Sequence, residues 1–149
     1  MTRSSAEIVR SLREQFPADP LALTDEQRRE ALEEALGPVA WPDFEVAMVA
    51  PGGWAAERSG AAGYADGWND WLAPFESFRV EFEELVEGPD GIVQFVRQIG
   101  TPRGSAAEIE NVGAGVFKFR QGRIARLEFH LSRDDALASA GLDPQSSQP

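Results

Sequence analysis

Residues 121–142 constrain the fold of this chain more than any other stretch. Gln121-Gly122 is a tight-turn signal between two alternating runs. Ile124, Arg126, Glu128 and His130 then alternate with Ala125, Leu127, Phe129 and Leu131, a period of two that gives a strand one apolar and one polar face. Ser132 follows, with Asp135 three residues on, a capping pattern that satisfies orphan N–H groups at a helix start. Gly141 closes a helix whose one apolar face carries Ala136, Leu137 and Ala140. A turn, a strand and a capped helix in this order, after several long antiparallel strands, restrict the architecture and limit where a ligand would sit.

Upstream the period is helical first and two later. Ser4 and Glu7 precede Ile8, Val9, Leu12 and Phe16 at helical spacing, so a helix is expected over residues 5–16, ended by Pro17 and Pro20. Thr24 and Gln27 cap a second, mostly solvent-facing helix that stops at Gly37-Pro38. A short strand is expected over 44–49, and the Ala-, Gly- and Ser-rich residues 55–63 read as a loop. Tyr64, Trp68, Trp71, Leu72 and Phe75 form an aromatic helical face. From Phe78 the alternation takes over, with a bulge expected at Glu83-Glu84, turns at residues 88–91 and 100–104, and a bend at Gly113 and Gly115. Helices followed by an antiparallel meander mean an α+β fold, in which a bent sheet roofed by the N-terminal helices makes a cone with an apolar mouth. Residues 1–142 are expected to form one domain, with 143–149 a frayed tail.

Composition narrows the function classes. The formal net charge of −11 opposes a phosphate backbone or an anionic lipid surface, so neither nucleic acid nor membrane is an expected partner. There is no Cys and one His, which argues against a thiol nucleophile and against zinc; no metal and no cofactor are expected. The Gly-rich stretches lack phosphate-loop spacing. The N-terminus shows no apolar secretory segment, and the cysteine-free composition fits a reducing cytoplasm, the expected location.

The order of elements and three stretches of sequence resemble the SnoaL-like branch of the nuclear transport factor 2-like superfamily, which also includes ketosteroid isomerases, limonene epoxide hydrolases and polyketide cyclases. The stretches are Pro42-Asp43-Phe44-Glu45, the aromatic helix from Trp68 to Phe75, and Gly122 through Leu137. The resemblance implies a conical pocket between helices and curved sheet that holds an apolar small molecule, often in a homodimer. It also implies an acid or base, commonly Asp, inside the pocket. This chain departs there. Phe129 stands where the related hydrolases carry a pocket Asp, and Val46 to Ala50 supply no carboxylate where isomerases place a base.

Two residues remain as catalytic candidates. His130, the one side chain with an ordinary pKa near neutrality, suits general acid–base work; equally, it shares the polar parity of Arg126 and Glu128 and would then lie at a surface or dimer interface. Arg97, between Phe95 and Ile99 on its own parity, is either a clamp for a carboxylate or carbonyl or one half of an ion pair across the sheet. Trp54, Tyr64, Trp68, Phe95, Phe117, Leu127 and Phe129 are the expected ligand-binding residues, with Trp54 a lid or an anchor at the core edge. The aromatic helix face serves core packing on the plainer reading. The leading functional reading is a protein that binds an apolar or aromatic small molecule as a homodimer. The alternatives are a SnoaL-like isomerase, cyclase or epoxide hydrolase using general acid–base chemistry, and an accessory module whose cone is filled by its own side chains.

Overall fold

A computed structural model describes residues 4–50 and 55–142. Helix α1 (Ser5–Gln15) begins where the Ser4 side chain accepts from the Glu7 amide, and α2 (Asp25–Leu36) where Thr24 and Gln27 cap each other reciprocally. These two devices satisfy N–H groups that the first helical turn leaves without carbonyl partners. Strand β1 (Ala40–Val49) follows, then β2 (Ala55–Ser59), α3 (Gly60–Leu72), β3 (Phe75–Gly88), β4 (Gly91–Pro102), β5 (Ile109–Arg120), β6 (Arg123–His130) and α4 (Arg133–Ser139).

The strands form one curved six-stranded sheet in the order β2-β1-β6-β5-β4-β3. The four long strands are a meander, and β1 lies parallel to β6 at its end. The Gln121-Gly122 turn has positive φ at both residues (51° and 80°), the geometry that matches the twist of a two-residue hairpin. The register of β3 against β4 shifts between Phe82 and Leu85, so the bulge falls at Glu83-Glu84 as the broken alternation predicts. It keeps Phe82 and Leu85 on one face.

One expectation needs correction. Residues 55–59 are not loop but an edge strand paired with β1, and α3 starts at Gly60, whose φ of 73° turns the chain from strand into helix. The register of β5 runs unbroken past Gly113 and Gly115 and is irregular at Lys118/Phe119.

Both faces of the sheet are covered. On the concave face Ile8 and Leu36 from the helices pack against Phe44, Ile124 and Leu127. On the opposite face Ala136, Leu137 and Ala140 of the C-terminal helix close over Val93, Ala114 and Val116. Burial of these apolar surfaces supplies the main drive for the fold. Arg133 fixes the near end of α4: it donates to the carbonyls of Val96 (3.0 Å) and Gly113 (3.3 Å), pairs with Glu83 at 2.5 Å and stands over the Phe95 ring. No helix among the described residues is long and apolar enough to cross a membrane.

Candidate functional site

The cone is hollow. A cavity of about 360 Å³ lies between α1, α3 and the concave face of the sheet. Strand parity determines what it meets. Val46 of β1, Phe82 of β3, Val96 and Gln98 of β4, Gly115 and Phe117 of β5, and Leu127 and Phe129 of β6 all face inward. Helix α3 supplies Tyr64, Gly67, Trp68 and Trp71, and Phe16 closes the wall from the end of α1. The aromatic rings brace one another: Phe16 and Trp68 lie 5.0 Å apart between centroids, Tyr64 and Trp68 6.5 Å, and Trp68 and Phe78 6.1 Å. Tilted and edge-on contacts of this kind hold rings in fixed orientations. A second hollow of about 60 Å³ lies deeper among the helices, with Phe16, Tyr64, Phe82 and Phe117 common to both walls.

Few polar groups reach the large cavity. Arg58 of β2 and Asp70 of α3 are exposed at its rim and are paired with each other at 2.7 Å. Gln94 is committed: its Nε2 donates to the carbonyls of Glu83 (3.0 Å) and Phe95 (2.9 Å), and its Oε1 accepts from Arg13. Gln98, 4 % exposed, accepts through Oε1 from the Trp71 indole at 3.0 Å. Burial pushes the Tyr64 phenol above its ordinary value of 10.0, and the Trp68 indole opposes this only in part, so Tyr64 stays a neutral hydroxyl.

The structure brings Tyr64, Trp68, Phe117, Leu127 and Phe129 to the cavity wall. Trp54 lies outside the described residues. Phe95, Arg97 and His130 lie elsewhere: the pocket place expected of Phe95 is corrected, the pocket readings of Arg97 and His130 fall away, and Arg97 takes its ion-pair alternative. All three are on the opposite face of the sheet. Phe95 packs under α4 and beneath Arg133. Arg97 pairs with Glu110 (3.3 Å) and Glu83 (3.6 Å). His130 is buried, with Nε2 2.8 Å from Glu128 Oε1, on a carboxylate that also accepts from Ser139 and Arg126. Glu128 is ionised in this arrangement. Burial alone would raise its pKa, but the hydrogen bonds from His130, Ser139 and Arg126 outweigh it and hold the carboxyl far below the usual range. An ionised carboxylate only accepts, so Nε2 of His130 carries the hydrogen. Because α4 lies over this network, His130 is an interior residue and not a surface one.

Sequence reasoning missed Phe16, Val46, Phe82, Gln98 and the Arg58–Asp70 pair. Gln94, Val96 and Gln98 share one parity and Val93, Phe95 and Arg97 the other, and the more apolar of the two was the natural choice for the cone. It is apolar because α4 covers it.

Among solved structures, a nuclear transport factor 2-like protein of unknown function from Burkholderia pseudomallei K96243 is 16% identical, with 91% of this chain and 96% of that one aligned at a TM-score of 0.61. A putative SnoaL-like polyketide cyclase from Jannaschia sp. CCS1 is 15% identical over 87% of this chain and 89% of that one, with a TM-score of 0.59. TerC, co-crystallised with polyporic acid, is 19% identical over 84% of this chain and 88% of that one, also at 0.59. These likenesses establish a shared fold. A search of curated proteins finds no match. The model of the SnoaL-like domain family matches residues 25–127, more than half of the chain, from α2 into β6, and the chain belongs to that family.

Proposed function

We propose that this protein binds an apolar, aromatic-sized small molecule in the cavity between α3 and the sheet, without itself supplying acid–base chemistry. The observation that carries this reading is the wall: about 360 Å³ of space bounded by Phe16, Tyr64, Trp68, Phe82, Phe117 and Phe129. Transfer of a flat apolar molecule from water to such a wall is favourable at roughly 25 cal/mol per Å² of buried surface. A chemical role would need an acid or base free inside, and the two carboxylate residues on the wall are both engaged. Asp70 is paired with Arg58, and Glu128 turns its carboxylate to the network under α4. The TerC structure with polyporic acid is a case of this fold meeting a small organic molecule, and supports the reading by analogy of fold.

The test is calorimetric titration with 2-ethylnaphthalene, a flat probe without polar atoms. One saturable site per chain is expected, and absence of heat and of competition at the solubility limit would overturn the reading. The homodimer belongs to the same proposal. Val112, beside the ion pair of Arg97 and Glu110 on the outer face of β5, is 45% exposed and is the centre of the surface on which a second copy would pack. Light scattering should give twice the chain mass, reduced to one chain by Val112→Glu; a single-chain mass for the unaltered protein contradicts the dimer.

A further inference from the structure

We infer that Gln98, held in one orientation by Trp71, selects the polarity of the ligand: the cavity takes a flat apolar molecule that carries a carbonyl-type acceptor. The inference rests on the proposed binding function and adds to it the chemical class of the ligand.

The argument is an accounting of polar groups. Arg58 and Asp70 satisfy each other at the rim. Gln94 has its amide hydrogens on backbone carbonyls and its oxygen on Arg13. The Glu128 carboxylate serves His130, Ser139 and Arg126. Gln98 is different. It is 4 % exposed, faces inward opposite Asn111 of β5, and lines the cavity. Its single side-chain hydrogen bond among the described residues is the one it accepts from the Trp71 Nε1 at 3.0 Å.

That bond has a direction. An indole N–H only donates, so the atom of Gln98 that meets it must be the carbonyl oxygen. The flip of the carboxamide is thereby fixed, and the Nε2 hydrogens are left over. Trp71 sits at the end of α3 and is braced by packing beside Leu72, Phe75 and Phe78. The donor is therefore positioned before any ligand arrives. Nε2 is not sealed from water, and a ligand that fills the cavity displaces that water and restores a hydrogen bond only if it brings an acceptor. A ligand without one leaves the group unpaired, and sites built around such a group discriminate against the analogue that lacks the matching atom. Val80, which pairs with Gln98 on β3, and Val96 beside it are apolar, and Asn111, its partner on β5, does not line the cavity.

The experiment compares two probes of one shape, 2-acetylnaphthalene and 2-ethylnaphthalene, titrated calorimetrically into the full chain. The ketone is expected to bind about tenfold more tightly than the hydrocarbon, the worth of one good hydrogen bond in a dry site. In Gln98→Met that ratio should fall to near one while the hydrocarbon still binds. Trp71→Phe frees the carboxamide to flip, so the ratio should fall there too, a change of selectivity that loss of packing alone would not produce. Should Gln98→Met fail to fold, Gln98→Glu retains an acceptor for Trp71 and should turn the preference against the ketone. Equal affinity of both probes for the unaltered protein, or a ketone preference that survives these substitutions, overturns the role of Gln98 and leaves cavity binding standing. Failure of both probes to bind overturns the proposed function and this inference with it.

Discussion

Ser139 Oγ donates to Glu128 Oε1 at 2.5 Å, joining the last turn of α4 to the middle of β6 on the side of the sheet away from the cavity. The same oxygen lies 2.8 Å from His130 Nε2, and the other accepts from Arg126 at 2.7 Å. Folding thus lowers the proton affinity of Glu128 below its ordinary value of 4.5. A group with a depressed folded pKa contributes stability that is complete above the ordinary value and is lost as pH falls through it toward the depressed one. The unfolding midpoint should therefore drop on acidification below about pH 4.5, the ordinary carboxylate range. Glu128→Gln should lower stability at neutral pH and make the acid loss shallower. Denaturant midpoints measured across pH for both proteins check this, and parallel pH profiles would contradict it. Ser139→Ala, which removes one of the three bonds, should cost about 1 kcal/mol.

Two glycines on the inner face of β5 make a matched pair with opposite expectations. A Cβ at Gly113 would come 2.6 Å from the His130 carbonyl oxygen and 3.0 Å from Phe129 Cζ, so this strand has glycine because β6 and its aromatic ring pass too close for anything larger. At Gly115 the nearest atoms would be Phe117 Cε1 at 3.5 Å and the Glu128 backbone carbonyl oxygen at 3.8 Å, ordinary contact. Gly113→Ala should destabilise by about 1–3 kcal/mol through overpacking and push Phe129 off the cavity wall. Gly115→Ala should be close to neutral. Denaturant midpoints of the two variants decide it, and equal effects would refute the account.

These residues also show why the sequence revealed the cone but only half of its lining. Alternation along 123–131 is legible because one face of β6 meets an apolar hollow, and it places Leu127 and Phe129 correctly. The same rule fails on β4, where α4 covers the outer face at Val93 and Phe95 and the cavity lies on the inner one. Phe95 is apolar for the sake of α4, and Gln98 is polar although it faces inward, so polarity no longer reports which side is which. Residues 55–59 hide for another reason. Ala-Ala-Glu-Arg-Ser has no strand pattern, because an edge strand is held by backbone hydrogen bonds to β1 and needs little from its side chains. The Arg58–Asp70 pair at the rim joins that strand to α3, twelve residues later, and nothing in the local sequence announces it.

Arg28 is the tie between α2 and α3. Though it stands in a run of charges that reads as a solvated face, it is 7% exposed, donates to Asn69 Oδ1 at 2.9 Å and to the Leu23 carbonyl at 3.2 Å, and pairs with Asp25 at 2.8 Å. Its removal leaves an inward-facing carbonyl and an amide oxygen without their donor. Arg28→Ala should cost about 1–3 kcal/mol. Because α3 carries Tyr64, Trp68 and Trp71, affinity for 2-ethylnaphthalene should weaken as well. A variant with normal stability would show that the tie is slack.

Gly67 offers the sharpest separation of stability from function. It lies in the interior of α3, at the cavity wall, and a Cβ there would meet no atom within 4 Å. Glycine in mid-helix is a poor choice for the helix itself, unfavourable by about 1 kcal/mol against alanine, because it leaves more backbone freedom to be lost on folding. Nothing in the packing compensates, and the missing side chain instead leaves room in the hollow. Gly67→Leu should therefore raise the unfolding midpoint, by helix propensity and by apolar contact with the wall, while closing the space in which a ligand sits. Binding of 2-ethylnaphthalene should fall at least tenfold (about 1.4 kcal/mol) as stability rises. Calorimetry and thermal unfolding on one sample decide the matter. If binding survives a leucine at this position, the ligand does not occupy the space beside α3, and the cavity is a packing defect of the cone with no role in binding.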